Sequence, residues 1–174
     1  MAMSSLKKKK LLIYSVFAAI LLIVFLIQYS PAFPYRPGRA HISFFLPFVF
    51  TCALLFREWA GAFYGLAAGA ALDIVSSDTV CFNTIALFVI CCLAGLFVNR
   101  LFLKNNVAVS VLMIFMNAVY AVANWLFCVL LNGEPNAAYY FLRITLPSFA
   151  LTSVVSLPVY FIMRALARKL AGKQ

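Results

Sequence analysis

Acidic residues are scarce: 4 Asp or Glu stand against 14 Lys or Arg, with a single histidine. So few titratable groups leave little from which to assemble an acid–base pair or a metal-assisted site. The patterns G-x-S-x-G, the phosphate-binding P-loop and H-E-x-x-H are all missing. His41 stands outside any cluster, and no C-x-x-C pair offers zinc ligands. The expectation is a protein that is not an enzyme and carries no metal or cofactor. Charge of either sign is also low. Only 10% of the residues are charged, whereas a soluble domain carries about 25%.

What fills the chain instead is apolar: 66% of 174 residues. A soluble fold of this size could not bury that much surface, whereas helices in lipid need not. The expected class is an all-α integral membrane protein, a bundle of six transmembrane helices forming one compact domain. Apolar runs place the spans at residues 11–29, 42–56, 59–75, 80–98, 107–131 and 144–163. Between them lie turn signals: Pro31 to Arg39, Arg57-Glu58, Ser76 to Thr79, Asn99 to Asn106, and Asn132-Gly133-Glu134-Pro135-Asn136. The first run exceeds the apolar core of a signal peptide and no A-x-A site follows, so it reads as an uncleaved anchor. Residues 1–10 form a basic N-terminus, 11–166 the membrane domain and 167–174 a basic tail. Five cysteines, Cys52, Cys81, Cys91, Cys92 and Cys128, fall within apolar runs and read as buried free thiols.

The net charge of +10 sits at chain ends and short loops. Orientation signals and anionic lipid headgroups account for it better than nucleic acid, which is not expected as a partner. With the N-terminus inside, six spans put 11 of the 14 Lys and Arg on the inner side. The other 3, Arg36, Arg39 and Arg143, lie outside. Five or seven spans would move the basic tail to the outer face, so both termini are expected to be cytoplasmic.

Three features could carry function. In the third span Gly61, Gly65 and Gly69 recur every four residues and Asp73 continues the series. Such spacing keeps them on one slowly drifting helix face, and small residues let helix backbones approach closely. The stripe is expected to be covered by a helix of this chain or, alternatively, of a partner. Asp73 would cost at least ~2.5 kcal/mol facing lipid as an anion. About 22 Å along the helix from the inner turn Arg57-Glu58, it belongs in the outer third, as a helix-cap or turn acceptor or as a ligand or proton site. Ser110, Asn117 and Asn124 share one face of the fifth span, with Tyr120 between the asparagines. Asn83 and Asn124 fall near the depth of Asp73, and the three are expected to form an outer polar cluster. A purely structural cluster should tolerate Asp73→Asn. Pro158, preceded by Thr152, Ser153 and Ser156, should shape the last span, while Trp59, Trp125, Tyr139 and Tyr140 suit interfacial belts.

The run Arg57-Glu58-Trp59-Ala60-Gly61 through Gly65, Gly69 and Asp73-Ile74-Val75-Ser76, followed by Asn83-Thr84-Ile85-Ala86-Leu87, resembles the signature of the rod shape-determining protein MreD family. There a glycine-punctuated helix ends in a hydrophobic-Asp-hydrophobic step before a short turn. One departure is that the family turn often contains glycine, and Ser76 to Cys81 has none. The resemblance implies a non-catalytic scaffold of the cell-wall elongation machinery in the bacterial cytoplasmic membrane. Its implied partner is the bitopic protein MreC, within an assembly of the MreB filament and peptidoglycan-synthesising enzymes. It also implies a fold similar to the substrate-binding S-components of energy-coupling-factor transporters, which gives the alternative: a vitamin-type binding subunit. The docking face of those subunits, A-x-x-x-A on the first helix, is absent, for only adjacent Ala18-Ala19 occur.

Overall fold

A computed structural model describes residues 2–30, 43–56, 58–76, 81–101, 106–130 and 137–171. Among them there is helix and no strand. The helices are α1 (Ala2–Tyr29), α2 (Phe45–Leu55), α3 (Glu58–Val75), α4 (Phe82–Leu101), α5 (Asn106–Trp125), α6 (Ala137–Tyr140) and α7 (Leu146–Ala171). A π-helical segment, Leu126–Leu130, extends α5, and another, Phe141–Thr145, joins α6 to α7. Three stretches are long and apolar enough to cross a membrane: Leu11–Tyr29, Val107–Trp125 and Ala137–Leu170. Phe45–Leu55, Trp59–Val75 and Phe82–Val98 are shorter apolar helices.

Element boundaries depart from the sequence reading at both chain ends. α1 begins at Ala2, so the lysine run continues the first helix. The last helical stretch starts at Ala137, seven residues before the expected 144. Arg143 does not break it: its guanidinium lies 5.3 Å from the ring centroid of Tyr139 one turn earlier, and stacking on a face suits that cation. The inner-turn residue Arg57 and the turn expected at Asn132 to Asn136 lie outside the described residues, as does His41.

α2 is the axis. Phe45 and every residue from Pro47 to Leu54 are buried, and α1, α3, α4, α5 and α7 all pack against it. A helix that is apolar all round has no polar face to show and goes to the centre. Its C-terminal end is closed by Phe56, whose ring meets Tyr14 at 4.9 Å and Phe17 at 5.0 Å edge-on and stacks on Tyr64 at 5.3 Å. The Tyr64 hydroxyl donates to the Tyr14 carbonyl of α1 at 2.6 Å. α7 passes through Pro158 as helix. The Ser156 hydroxyl donates to the Ser153 carbonyl at 2.7 Å, one residue before the carbonyl that the proline leaves without its usual donor.

α3 and α4 form the closest pair, and the glycine stripe is the reason. A Cβ placed on Gly61 would lie 2.9 Å from Ala53 Cα of α2. On Gly65 it would lie 2.7 Å from the Leu87 carbonyl oxygen, and on Gly69 2.6 Å from that of Asn83. The stripe is therefore covered within this chain, by α2 and α4, and is not a free face for a partner. The glycines are needed for space: backbone, which cannot rotate away, occupies the position of each missing methyl.

Gly69→Ala should destabilise the fold by about 1–3 kcal/mol through overpacking. Alanine in an ordinary exposed helical site would instead stabilise by up to ~1 kcal/mol. Thermal unfolding of the detergent-purified protein distinguishes the two signs.

Candidate functional site

The last turn of α3 delivers Asp73 to the first turn of α4. The first N–H groups of a helix lack intrahelical acceptors, and two of α4's are met by this carboxylate. Asn83 N–H donates to Oδ1 at 3.0 Å and Thr84 N–H to Oδ2 at 2.9 Å. The Thr84 hydroxyl adds a third bond to Oδ2 at 2.5 Å. An anion at this end also faces the positive pole of the helix dipole. Each hydrogen bond to a charged acceptor contributes about 1.5–3 kcal/mol, which offsets the cost of holding a carboxylate beside lipid. Asp73 is thus a cap supplied from the preceding helix. That is close to the helix-cap alternative of the sequence reading, but the capped helix is the next one, α4.

Asn83 extends the cluster from its buried position. Its Nδ2 donates to Ser76 Oγ at 3.2 Å, and Ser76 Oγ donates to the Leu72 carbonyl at 2.7 Å. Its Oδ1 accepts from the Tyr120 hydroxyl of α5 at 2.8 Å. The cluster therefore joins α3, α4 and α5 through Asp73, Asn83, Thr84, Ser76 and Tyr120. Asn124 is half-buried and, among the described residues, makes no hydrogen bond to Asp73 or Asn83. Tyr120, one turn earlier on α5, is the residue of that helix that bonds to Asn83. Asn117 donates to the Met113 carbonyl of its own helix at 3.0 Å.

A second cap sits on α2, and the sequence reading missed it. Gln28, at the end of α1, accepts at Oε1 from Phe44 N–H at 2.9 Å and Phe45 N–H at 2.8 Å. Its Nε2 donates to Ser43 Oγ at 3.3 Å, and Ser43 Oγ accepts from Leu46 N–H at 3.3 Å. Ser43 N–H in turn donates to Thr152 Oγ1 of α7 at 3.4 Å. The signal was present: Gln28 is the one side-chain amide in the first span. The two caps repeat one device, in which the end of an odd helix satisfies the start of the next. Among the described residues Ser153 Oγ, on α7, is a buried hydroxyl with no hydrogen-bond partner.

The turn before α4 carries backbone strain. Cys81 has φ 60°, the left-handed region that glycine enters freely and other residues rarely do. It is also exposed, not a buried thiol as expected; Cys52 and Cys91 are buried. No glycine lies between Ser76 and Cys81, and cysteine accepts the conformation that glycine favours. Among the described residues no three His, Cys, Asp or Glu gather as a metal site. Glu58 opens α3.

No protein-family model, curated protein or solved structure matches this chain. Both oxygens of Asp73 and both ends of the Asn83 amide are engaged within the protein. What this arrangement does chemically is hold three helices in register.

That geometry revises the expected tolerance of Asp73→Asn. One amide end would turn an NH2 toward a backbone N–H, leaving a donor facing a donor, so the variant should lose about 1–3 kcal/mol, measured by thermal unfolding in detergent. Cys81→Gly should raise the unfolding midpoint, by relief of about 1 kcal/mol of left-handed strain; an unchanged or lower midpoint would show that the cysteine is not strained.

Proposed function

We propose that this chain is a non-catalytic membrane scaffold of the bacterial cell-wall elongation machinery, a protein of the MreD type that binds an MreC-like bitopic partner. The observation that carries this reading is the closure of the outer polar cluster. A subunit that binds a polar small molecule needs donors and acceptors turned toward an open site. Here Asp73 spends both oxygens on the N-terminus of α4 and the Thr84 hydroxyl, and the Asn83 amide spends both ends on Ser76 and Tyr120. That favours a role in shape over the vitamin-type binding alternative. The residue pattern from Glu58 to Leu87 supports the family assignment.

The topology in this reading is six crossings with both termini cytoplasmic. α2 is the hard case. Its 11 residues cover only about 16 Å, against a hydrocarbon core of ~30 Å. Helix ends at membrane depth are tolerated where protein surrounds them and satisfies the backbone. The wall of helices around α2 and the cap from Gln28, Ser43 and Thr152 meet that requirement. The partner's helix then has the outward faces of the bundle to use, such as Leu22, Ile23, Leu26 and Ile27 on α1, all exposed.

Purification of the tagged protein in mild detergent tests the reading. An MreC-like bitopic protein and peptidoglycan-synthesising enzymes should be the strongest companions. An ATP-binding transporter module in their place would overturn the scaffold reading in favour of the binding-subunit alternative. In the same cells, cysteines engineered at Lys8 and Lys173 should stay unlabelled by an impermeant reagent applied outside.

A further inference from the structure

The C-terminal half of α7 keeps two faces apart. Tyr160 and Met163 are buried, and Leu166, Ala167 and Leu170 pack against the same core. The helix therefore stays docked through its final turn. The opposite face is exposed: Val154, Pro158, Phe161, Ile162 and Ala165. These residues recur at steps of three and four, which makes one continuous stripe. Arg168 and Lys169, both exposed, continue it. They follow Phe161 and Ile162 by seven residues, a rotation about 20° short of two turns. Among the described residues no carboxylate meets either of them. Arg164 is placed differently. Its guanidinium lies 5.8 Å from the ring centroid of the buried Tyr160, so it belongs to the bundle.

From Val154 to Ala165 the stripe rises about 16 Å, close to half of a ~30 Å hydrocarbon core. An apolar surface one leaflet deep thus ends in two unopposed cations. We propose that this outward face of α7 is a binding site for one anionic phospholipid, with its headgroup on Arg168 and Lys169 and an acyl chain along Val154 to Ala165. Charge complementarity selects the occupant. Basic residues at the end of a membrane helix attract anionic headgroups, and Arg offers a planar fork to phosphate while Lys supplies a point charge. An apolar helix of a partner would cover the stripe but leave both charges without a counter-ion. The inference rests on α7 crossing a membrane, for which Ala137–Leu170 is long and apolar enough, and not on the cell-wall partner.

Native mass spectrometry of the full chain, titrated with phosphatidylglycerol or with phosphatidylcholine, tests it. The wild type should retain one phosphatidylglycerol more tightly than phosphatidylcholine. Arg168→Gln/Lys169→Gln should weaken that lipid by about fivefold per charge, ~25-fold together. Both positions are exposed, so the lipid-free melting curve should match that of the wild type. The exchange Arg168→Lys/Lys169→Arg keeps both charges and should bind as the wild type does. Lys7→Gln/Lys8→Gln removes the same net charge near the other end of the chain and should leave the affinity unchanged. Glycerol 3-phosphate, which carries the phosphate without acyl chains, should not displace the lipid. Wild-type affinity in the glutamine pair would overturn the site, as would equal affinity for the two lipids or loss of binding in the exchange variant. Equal weakening by the Lys7/Lys8 control, or displacement by glycerol 3-phosphate, would also overturn it. Failure to find the bitopic partner, with this binding intact, would overturn the scaffold reading alone.

Discussion

A helix N-terminus exposes N–H groups that lipid cannot satisfy, and the arrangement of this bundle follows from where acceptors for them are found. The Asp73 carboxylate supplies them to α4, and the Gln28 amide supplies them to α2. Both caps act across a helix hairpin, so each one fixes a tertiary contact while completing secondary structure. The first needs α3 and α4 close together near Asp73, and Gly65 and Gly69 permit that approach because backbone of α4 stands where their Cβ atoms would be. Stripe and carboxylate are therefore two parts of one joint: small residues bring the helices together, and the acid locks the end.

The same joint explains why a chain so poor in polar groups still has a polar cluster. Asn83 carries the lock to α5 through Tyr120, and Ser43 carries the second cap to α7 through Thr152. Hydrogen bonds of this kind between membrane helices contribute about 0.6–2 kcal/mol each. Their greater value lies in specificity, since lipid and apolar side chains are nearly indifferent to helix rotation. A bundle pinned at defined rotations keeps a fixed outer surface.

Sequence and structure agree most closely on α3. Its composition gave the stripe and the acid at its end, and the helix, Glu58–Val75, lies within one residue of the apolar run. They part over Asn124, placed in the cluster by depth alone. Depth follows from counting residues, but reach and direction depend on side-chain length and on the rotation of α5, which counting does not give. Gln28 was overlooked for a related reason: an amide at the end of an apolar span looks like a boundary residue until the start of α2 is seen against it.

From the sequence alone came the helical class, the apolar stretches, the scarcity of catalytic groups and the residues that had to find partners in lipid. Those follow from composition and from the 3.6-residue period, which are local properties. Only the tertiary structure decided that α2 is the buried axis, that the glycine face is spent on α2 and α4, and that Asp73 caps the helix that follows. Which helix covers a small-residue face, and which N–H a carboxylate meets, are set by rotation and packing among several helices at once, and the pattern along any single helix is compatible with many such arrangements.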